Sequence, residues 1–345
     1  MSENTLSDIK AYEIIDNRGM PTIRVAVCID NQFWSQADVP SGSSTGSYEA
    51  MELRDGDARY RGKGVLKAIQ NMNDIILPEL RGKDAGDQHA IDTRMLELDG
   101  TETKSNLGGN AILGVSLAVA CAAANACGKP LYRYLNADAR VLPVPQACLL
   151  NGGVHAGNDL DIQEFCVMPT GARTFTESVQ ILCETFYSLK DILRDKVGKS
   201  ATNSGEDGGF APPISSTRQA MDLLCEAVER SGYTDKVVYG LDFAASGYYN
   251  PQKATYAFEG SQKARDEMIA FIKKLLTEYP SIVSIEDPLD ENDLEGMRVL
   301  TDAFSKHLVI GDDMFATNIK RIQKGLDHGA GNATLCKVNQ IGTLT

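Results

Sequence analysis

Three acidic residues and one lysine stand where apolar, strand-like runs of the chain end. They are Asp242 after residues 237–241, Glu286 after 282–285, Asp312 after 308–311 and Lys337 after 333–336. Carboxylates that gather without a counter-charge repel one another, so a bound cation is the expected resolution. An all-oxygen ligand set favours Mg²⁺, Mn²⁺ or Ca²⁺ over zinc. A lysine beside such an ion can lose its proton near neutral pH and act as a base. Each acid taken alone also fits a simpler interpretation, the N-cap of the helix that follows it.

The spacing of these residues predicts the elements that hold them. Asp312 lies 26 residues after Glu286, and Lys337 lies 25 residues after Asp312. That length fits one strand, one helix and two short loops. Short buried strands that alternate with helical periodicity predict βαβ units on a parallel sheet. Several such units in series indicate an α/β fold with a (β/α) barrel, whose chemistry lies where the strands end.

Two domains are predicted, an α+β domain at 1–135 and a barrel domain at 136–345. In the first, strands are predicted at 9–15, 22–29 and 33–39, and helices at 63–80, 87–98 and 111–127. In the second, further strands are predicted at 144–150 and 162–168, and helices at 175–197 and 217–231.

Composition limits the class of protein. The net charge of −13 over 345 residues argues against nucleic acid or an anionic membrane surface as the main partner. The eight cysteines include no C-x-x-C pair, which indicates reduced thiols in a cytosol. The N-terminal residues show no signal-peptide pattern. The apolar run at 111–127 is short and rich in small residues, with Asn110 as the predicted N-cap and Gly128 after its end, so a buried helix is predicted rather than a membrane span.

Two glycine-containing loops carry polar side chains. The loop Ser41-Gly-Ser-Ser-Thr-Gly46 is no P-loop, because no Gly-Lys-Ser/Thr follows it. It is either a plain turn or a lid whose hydroxyls reach a metal or a phosphate. His155 lies in Asn151-Gly-Gly-Val-His-Ala-Gly157 and is either a surface residue or a catalyst. The glycines around it indicate a segment that folds tightly or moves.

Taken together and in order, the motifs of this chain resemble those of the enolase family. They lie at 41–46, 49–55, 107–120, 151–158, 163–165, 284–288, 311–313 and 337–342, so the resemblance covers the whole chain. It implies phosphopyruvate hydratase activity, the dehydration of 2-phosphoglycerate to phosphoenolpyruvate in glycolysis, in the cytoplasm. It also implies an α+β domain in front of a barrel whose first two strands are antiparallel, and a homodimer formed through that α+β domain.

The resemblance implies a metal site and a base. Asp242, Glu286 and Asp312 would hold a first Mg²⁺, and the last two would also contact the substrate. Ser44 would bind a second Mg²⁺ together with the substrate phosphate. Lys337 would take the proton next to the substrate carboxylate, as a lysine base paired with Mg²⁺ does in this superfamily.

The resemblance also implies an acid that protonates the leaving hydroxide. The family's Asp-Glu pair is reversed here as Glu206-Asp207, so Asp207 occupies the acid position and is one methylene shorter. A displacement of ~1 Å can cost on the order of 10²-fold in rate. Glu164 would share the catalytic role, and His155, Gln163 and Glu164 would bind the substrate.

The end of the chain leads to a further expectation. Thr345 follows Lys337 closely, and the number of predicted barrel strands is six. The barrel is therefore expected to lack its last two βα units and to have open edges at its first and sixth strands. Two alternatives to the enzyme therefore stay open. One is a catalytically impaired or non-catalytic enolase-like protein or fragment. The other is a superfamily enzyme acting on a different carboxylate, against which the Ser44 and His155 loops argue.

Overall fold

The computed structural model describes residues 4–42 and 46–345 and contains two compact units. The first comprises Met1–Val141, Ala316–Asn318 and Cys336–Thr345, and the second comprises Leu142–Phe315 and Ile319–Leu335. The division into two domains at 1–135 and 136–345 remains a prediction.

The first unit begins with an antiparallel sheet of order β1-β2-β3 and continues with helices, as predicted. Its strands are β1 (Leu6–Ile15), β2 (Pro21–Ile29) and β3 (Phe33–Asp38). Its helices are α1 (Leu66–Asn71), continued through a π-helical turn at Met72–Ile76 into α2 (Leu77–Leu80), then α3 (Gln88–Asp99), α4 (Gly109–Ala126) and α5 (Leu131–Leu135). Apolar side chains of the sheet and of these helices form one core.

Helix α4 confirms the predicted buried helix. In the part of the chain that the structure describes, it is the helix long and apolar enough to cross a membrane by length and composition, and most of it is buried inside the protein. The prediction of Asn110 as its N-cap is wrong, because Gly108 holds that position. Asn110 instead pairs with the backbone of Leu53, accepting from its N–H at 3.0 Å and donating to its carbonyl at 3.1 Å. Gly128 follows the helix with a φ of +64°, as expected for a residue after a helix end.

The second unit is built on a sheet of order β12-β11-β10-β6-β5-β4. Its strands are β4 (Ala147–Asn151), β5 (Glu164–Met168), β6 (Val238–Asp242), β7 (Tyr249–Asn250), β8 (Thr255–Phe258), β9 (Ser261–Ala264), β10 (Ile282–Glu286), β11 (Leu308–Gly311) and β12 (Ala333–Thr334). Its helices are α6 (Phe175–Lys196), α7 (Thr217–Arg230), α8 (Arg265–Glu278), α9 (Leu294–Ala303) and α10 (Ile319–His328).

The strand directions confirm the expected enolase-type arrangement. Strand β5 is antiparallel to both β4 and β6, whereas β6, β10, β11 and β12 run parallel to one another. Strands β7 to β9 form a separate small antiparallel sheet that the sequence analysis missed, because strands of two to four residues are too short to show a period.

The prediction that the sixth barrel strand runs up to Lys337 is wrong. Strand β12 ends at Thr334, which pairs with Gly311, the last residue of β11. Lys337 instead precedes helix α11 (Val338–Ile341) and donates its backbone N–H to Thr317 Oγ1 at 2.9 Å.

The expectation of an open edge at β4 also needs correction. The backbone of Phe210 pairs with this edge, accepting from the N–H of Asn151 at 2.8 Å and donating to the carbonyl of Leu149 at 2.9 Å. The loop before Phe210 is thereby attached to the strand that leads into the His155 loop.

Candidate active site

Four polar residues form one row across four neighbouring strands of the second unit. The strand register places Asn151 on β4 opposite Glu164 on β5, Glu164 opposite Asp242 on β6, and Asp242 opposite Glu286 on β10. Residues that are directly opposite in a sheet present their side chains on the same face. The structure therefore brings together three of the predicted acids and adds Asn151, which the sequence analysis left without a role.

The carboxylate of Asp242 is buried, with 7% of the residue exposed. Its Oδ2 accepts a hydrogen bond from Gln163 Nε2 at 3.0 Å, and its Oδ1 accepts one from the backbone N–H of Ala244 at 2.9 Å. Burial, followed by the charges of Glu286 and Glu164, raises the pKa of Asp242 well above its usual range. Ionised carboxylates are costly in such a place unless a cation compensates them.

Asp312 lies in the turn after β11, and Asp287 holds that turn. The carboxylate of Asp287 accepts from the backbone N–H of Asp312 at 3.2 Å and from that of Asp313 at 2.6 Å. Ligand oxygens of the three aspartates lie within 4.8 Å of one another. Burial and the neighbouring Asp313 raise the pKa of Asp287. Asp287 was not among the predicted site residues, although it stands directly beside Glu286 in a motif that was recognised.

On the other side of the row, His155 and Asp207 form a hydrogen-bonded pair. Asp207 Oδ2 lies 2.8 Å from His155 Nδ1 and accepts a hydrogen bond from Asn151 Nδ2 at 2.7 Å. The hydrogen bond with Asp207 raises the pKa of His155, whose side chain is only 9% exposed. A carboxylate oxygen of Glu164 lies within 4.8 Å of ligand atoms of both residues. His155 is therefore a buried member of the site and not a surface residue.

The loop that carries Asp207 is closed by its own backbone and by β4. Gly205 donates its N–H to the carbonyl of Gly209 at 2.8 Å, and Glu206 donates to the carbonyl of His155 at 3.0 Å. A Cβ at Gly205 would lie 2.7 Å from Asn151 Cβ, so only glycine allows this approach. Asp207 Oδ2 is thereby held beside His155, although Asp207 and Glu206 are both exposed to solvent.

Two further residues were predicted for the site, Lys337 and Ser44. Lys337 belongs to the first compact unit, immediately before α11, and its function beside the acids stays a prediction. Ser44 lies outside the described residues.

Comparison with known proteins decides the family. The family model for the enolase N-terminal domain matches residues 6–135, and that for the enolase C-terminal TIM barrel domain matches residues 139–345. The chain belongs to the enolase family. Curated enolases from Thermococcus kodakarensis and Methanocaldococcus jannaschii are each 51% identical to it, over 99% of this chain and 80% of the relative. The enolase of Methanopyrus kandleri is also 51% identical, over 98% of this chain and 80% of its own length.

The enolase family implies a divalent metal ion, and the residues of the second unit fit one. The carboxylates of Asp242 and Glu286 end adjacent strands in register and are buried, and Asp312 follows the next strand. Oxygen donors of this kind suit Mg²⁺. Burial and the neighbouring carboxylates raise the pKa of Asp242, and a bound cation would favour its ionised form.

Proposed function

We propose that this chain catalyses the Mg²⁺-dependent dehydration of 2-phosphoglycerate to phosphoenolpyruvate, the phosphopyruvate hydratase reaction of glycolysis. The observation that carries this proposal is the row of carboxylates Glu164, Asp242 and Glu286 on adjacent strands of an enolase-family chain. The reaction removes a proton from one carbon and hydroxide from the next. It therefore needs a base, an acid and positive charge beside the substrate carboxylate.

The metal site of the proposal comprises Asp242, Glu286 and Asp312. Bound there, Mg²⁺ supplies the positive charge that the substrate carboxylate needs as its own negative charge grows. Gln163 donates to Asp242 and so fixes the orientation of that carboxylate. We assign to Ser44 the binding of a second Mg²⁺ and of the substrate phosphate.

Proton transfer is assigned to both sides of the substrate. Lys337 Nζ takes the proton from the carbon that bears the carboxylate. Asp207 donates a proton to the departing hydroxide, which leaves as water, and Glu164 assists this step. The bonds from His155 and Asn151 hold Asp207 in place, and His155 also binds the substrate.

The test is the ultraviolet absorbance of the enol phosphate when the purified chain meets Mg²⁺ and 2-phosphoglycerate. We expect a rise that Asp242→Asn abolishes. Asp235→Asn is the matched control, since it makes the same change on an exposed residue of the same unit and should keep the rate. No absorbance rise at high enzyme concentration would exclude turnover.

A second candidate function is binding of the same substrate without turnover. One observation favours it: Asp207 Oδ2 already receives hydrogen bonds from two side chains, on a residue one methylene shorter than the family's glutamate. Calorimetric titration with 2-phosphoglycerate separates the two functions. Heat of binding without product indicates this second function, whereas product formation rules it out.

We also propose that the chain acts in the cytoplasm as a homodimer formed through its N-terminal domain, with neither nucleic acid nor membrane as a partner. The net charge of −13 and the eight free thiols support this location. Light scattering of the purified protein tests the assembly. A mass equal to the 37.4 kDa of one chain would contradict the dimer.

A further inference from the structure

A second row of side chains lies next to the carboxylate row, and the proposed reaction does not use it. Cys148 on β4 and Cys166 on β5 are directly opposite each other in the antiparallel pair. On its other side, Cys166 is opposite Gly240, which brings no side chain. Two thiols therefore lie side by side, two residues along β5 from Glu164 and on the same face of the sheet.

A β-bulge is what places Cys148 on this face. The register of β4 and β5 shifts between Cys148 and Leu150, which leaves Leu149 as the extra residue. In a regular strand, Cys148 and Asn151 would point to opposite faces, because they are three positions apart. The extra residue brings both onto the face of Cys166 and Glu164. The thiol pair thus depends on an irregularity of this strand.

The two thiols and one carboxylate form a compact group of possible ligands. The Sγ atoms of Cys148 and Cys166 and a carboxylate oxygen of Glu164 all lie within 4.8 Å of one another. The Cys166 thiol donates to Glu164 Oε2 at 3.4 Å. Cys166 is 1% exposed, whereas Cys148 and Glu164 are half-buried and offer a route from solvent.

We propose that Cys148, Cys166 and Glu164 bind a thiophilic cation of the Zn²⁺ class, and that this ion withdraws Glu164 from the reaction. Thiolates select zinc or cadmium, whereas Mg²⁺ prefers oxygen donors alone. Two sulfur atoms and one oxygen provide three corners of a tetrahedron, and a solvent molecule takes the fourth.

Binding is a ligand exchange without oxidation or reduction. Both thiols release their protons to solvent, and the hydrated cation exchanges bound water molecules for two metal–sulfur bonds and one metal–oxygen bond. The hydrogen bond with Cys148 and burial raise the pKa of the Cys166 thiol, so this proton is still present at neutral pH before the ion arrives.

Only the inhibitory consequence rests on the proposed enolase reaction. Metal binding itself is independent of it and is measured without substrate, so failure of one is distinguishable from failure of the other.

The test is titration of the full reduced chain with cadmium chloride, followed by the ultraviolet charge-transfer band of cadmium thiolate. We expect one tight equivalent, two protons released for each ion, and no displacement by excess Mg²⁺. Loss of even an outer-shell partner of a metal costs about 10- to 100-fold in affinity, so Cys148→Ser should weaken binding by about 100-fold or more. Glu164→Gln keeps both thiols and should keep the band with roughly tenfold weaker affinity.

The matched control replaces two exposed cysteines, Cys127→Ser with Cys183→Ser, and should leave the tight equivalent intact. Cys166→Ala serves as a second test of the pair, and thermal unfolding shows whether each variant is folded. An unchanged band and affinity in folded Cys148→Ser or Cys166→Ala would overturn the site. So would loss of the tight equivalent in the control.

If the chain forms phosphoenolpyruvate, one equivalent of Zn²⁺ at saturating Mg²⁺ should lower its kcat about tenfold or more, and Cys148→Ser should relieve this inhibition. Tight zinc binding with an unchanged kcat would contradict the inhibitory part of the proposal and leave the binding site established.

Discussion

The two sides of the candidate active site hold their acids in different ways. Asp242 and Glu286 end two adjacent strands, are opposite each other in register and are buried. Asp207 comes from a loop, its side chain is 26% exposed, and hydrogen bonds from His155 and Asn151 hold it. The sheet fixes the backbone positions of the strand acids, whereas the loop acid depends on hydrogen bonds from two side chains for its position.

This difference separates two ways of compensating charge. Burial raises the pKa of Asp242, and its carboxylate neighbours raise it further, so a bound cation would favour the ionised strand side. On the loop side, Asp207 is paired with His155 and raises the pKa of that histidine. The strand side should therefore respond to metal, and the loop side to pH.

The largest effect is expected on the strand side, from Asp242→Asn. A metal ion contributes several kcal/mol to the stabilisation of charge, so loss of this ligand should lower kcat/KM by on the order of 10³-fold or more. Mg²⁺ at 100 times its Kd stabilises a folded protein by about 2.7 kcal/mol, and the variant should lose most of this gain. Enzyme assays and urea unfolding with and without Mg²⁺ measure both, and full stabilisation of the variant would contradict the assignment.

The same variant tests the pH dependence of the strand side in the absence of metal. Because the folded pKa of Asp242 is raised, the folded state binds more protons than the unfolded state above the ordinary aspartate pKa. Metal-free wild type should therefore lose stability as pH rises from that value toward the folded pKa. Asp242→Asn should remove this loss, and identical pH curves in EDTA would sink the argument.

A smaller effect, an increase in kcat, is expected on the loop side. Asp207→Glu restores the missing methylene and should raise kcat by about 10²-fold, because a misplacement of ~1 Å costs about that much. Steady-state kinetics at saturating Mg²⁺ measure the change. Glu206→Asp, at the exposed neighbouring position, is the control and should have little effect. An active chain that is indifferent to Asp207→Glu would show that another residue supplies the proton.

Asp287→Ala tests the turn that connects the strand side to Asp312. The backbone N–H groups of Asp312 and Asp313 both donate to Oδ2, and that of Asp312 also reaches Oδ1, so removing the carboxylate takes this acceptor away from both donors. An unsatisfied buried donor costs roughly 1–3 kcal/mol. Urea unfolding at saturating Mg²⁺ should show a loss of this size, and a change near zero would mean that the turn holds without Asp287.

The smallest effect is expected from Asp207→Asn on the titration of His155. Without the carboxylate, the pKa of His155 should fall toward its ordinary value, and NMR can follow it because the chain has only four histidines. The raised folded pKa means that the pair stabilises the fold fully below the unfolded histidine pKa of about 6.5. This contribution is lost as pH rises through the folded pKa, and the variant should lack that pH dependence. A His155 titration that does not move would break the proposed contrast between the two sides.

Much of the fold was predictable from local sequence, because periodicity is a property of neighbouring residues. The strands of the first unit, helices such as α4, and the acids at the ends of β6 and β10 were all located in this way. The ends of strands are harder to predict from local sequence. Lys337 directly follows an apolar, strand-like run, but β12 ends at Thr334, opposite the last residue of β11. A strand's length is set by its neighbour, which local sequence does not contain.

Only the tertiary structure decided which side chains share a face. The row from Asn151 to Glu286 depends on the register of four strands that are distant in sequence, and a shift of one residue would turn each side chain to the other face. The bulge at Leu149, which brings Cys148 to Cys166, has no periodic signature either. The sequence by itself thus determined the residue types at the site and the family. The contacts between distant side chains were decided by strand pairing, because backbone hydrogen bonds between remote segments set the register of the strands, which local patterns do not determine.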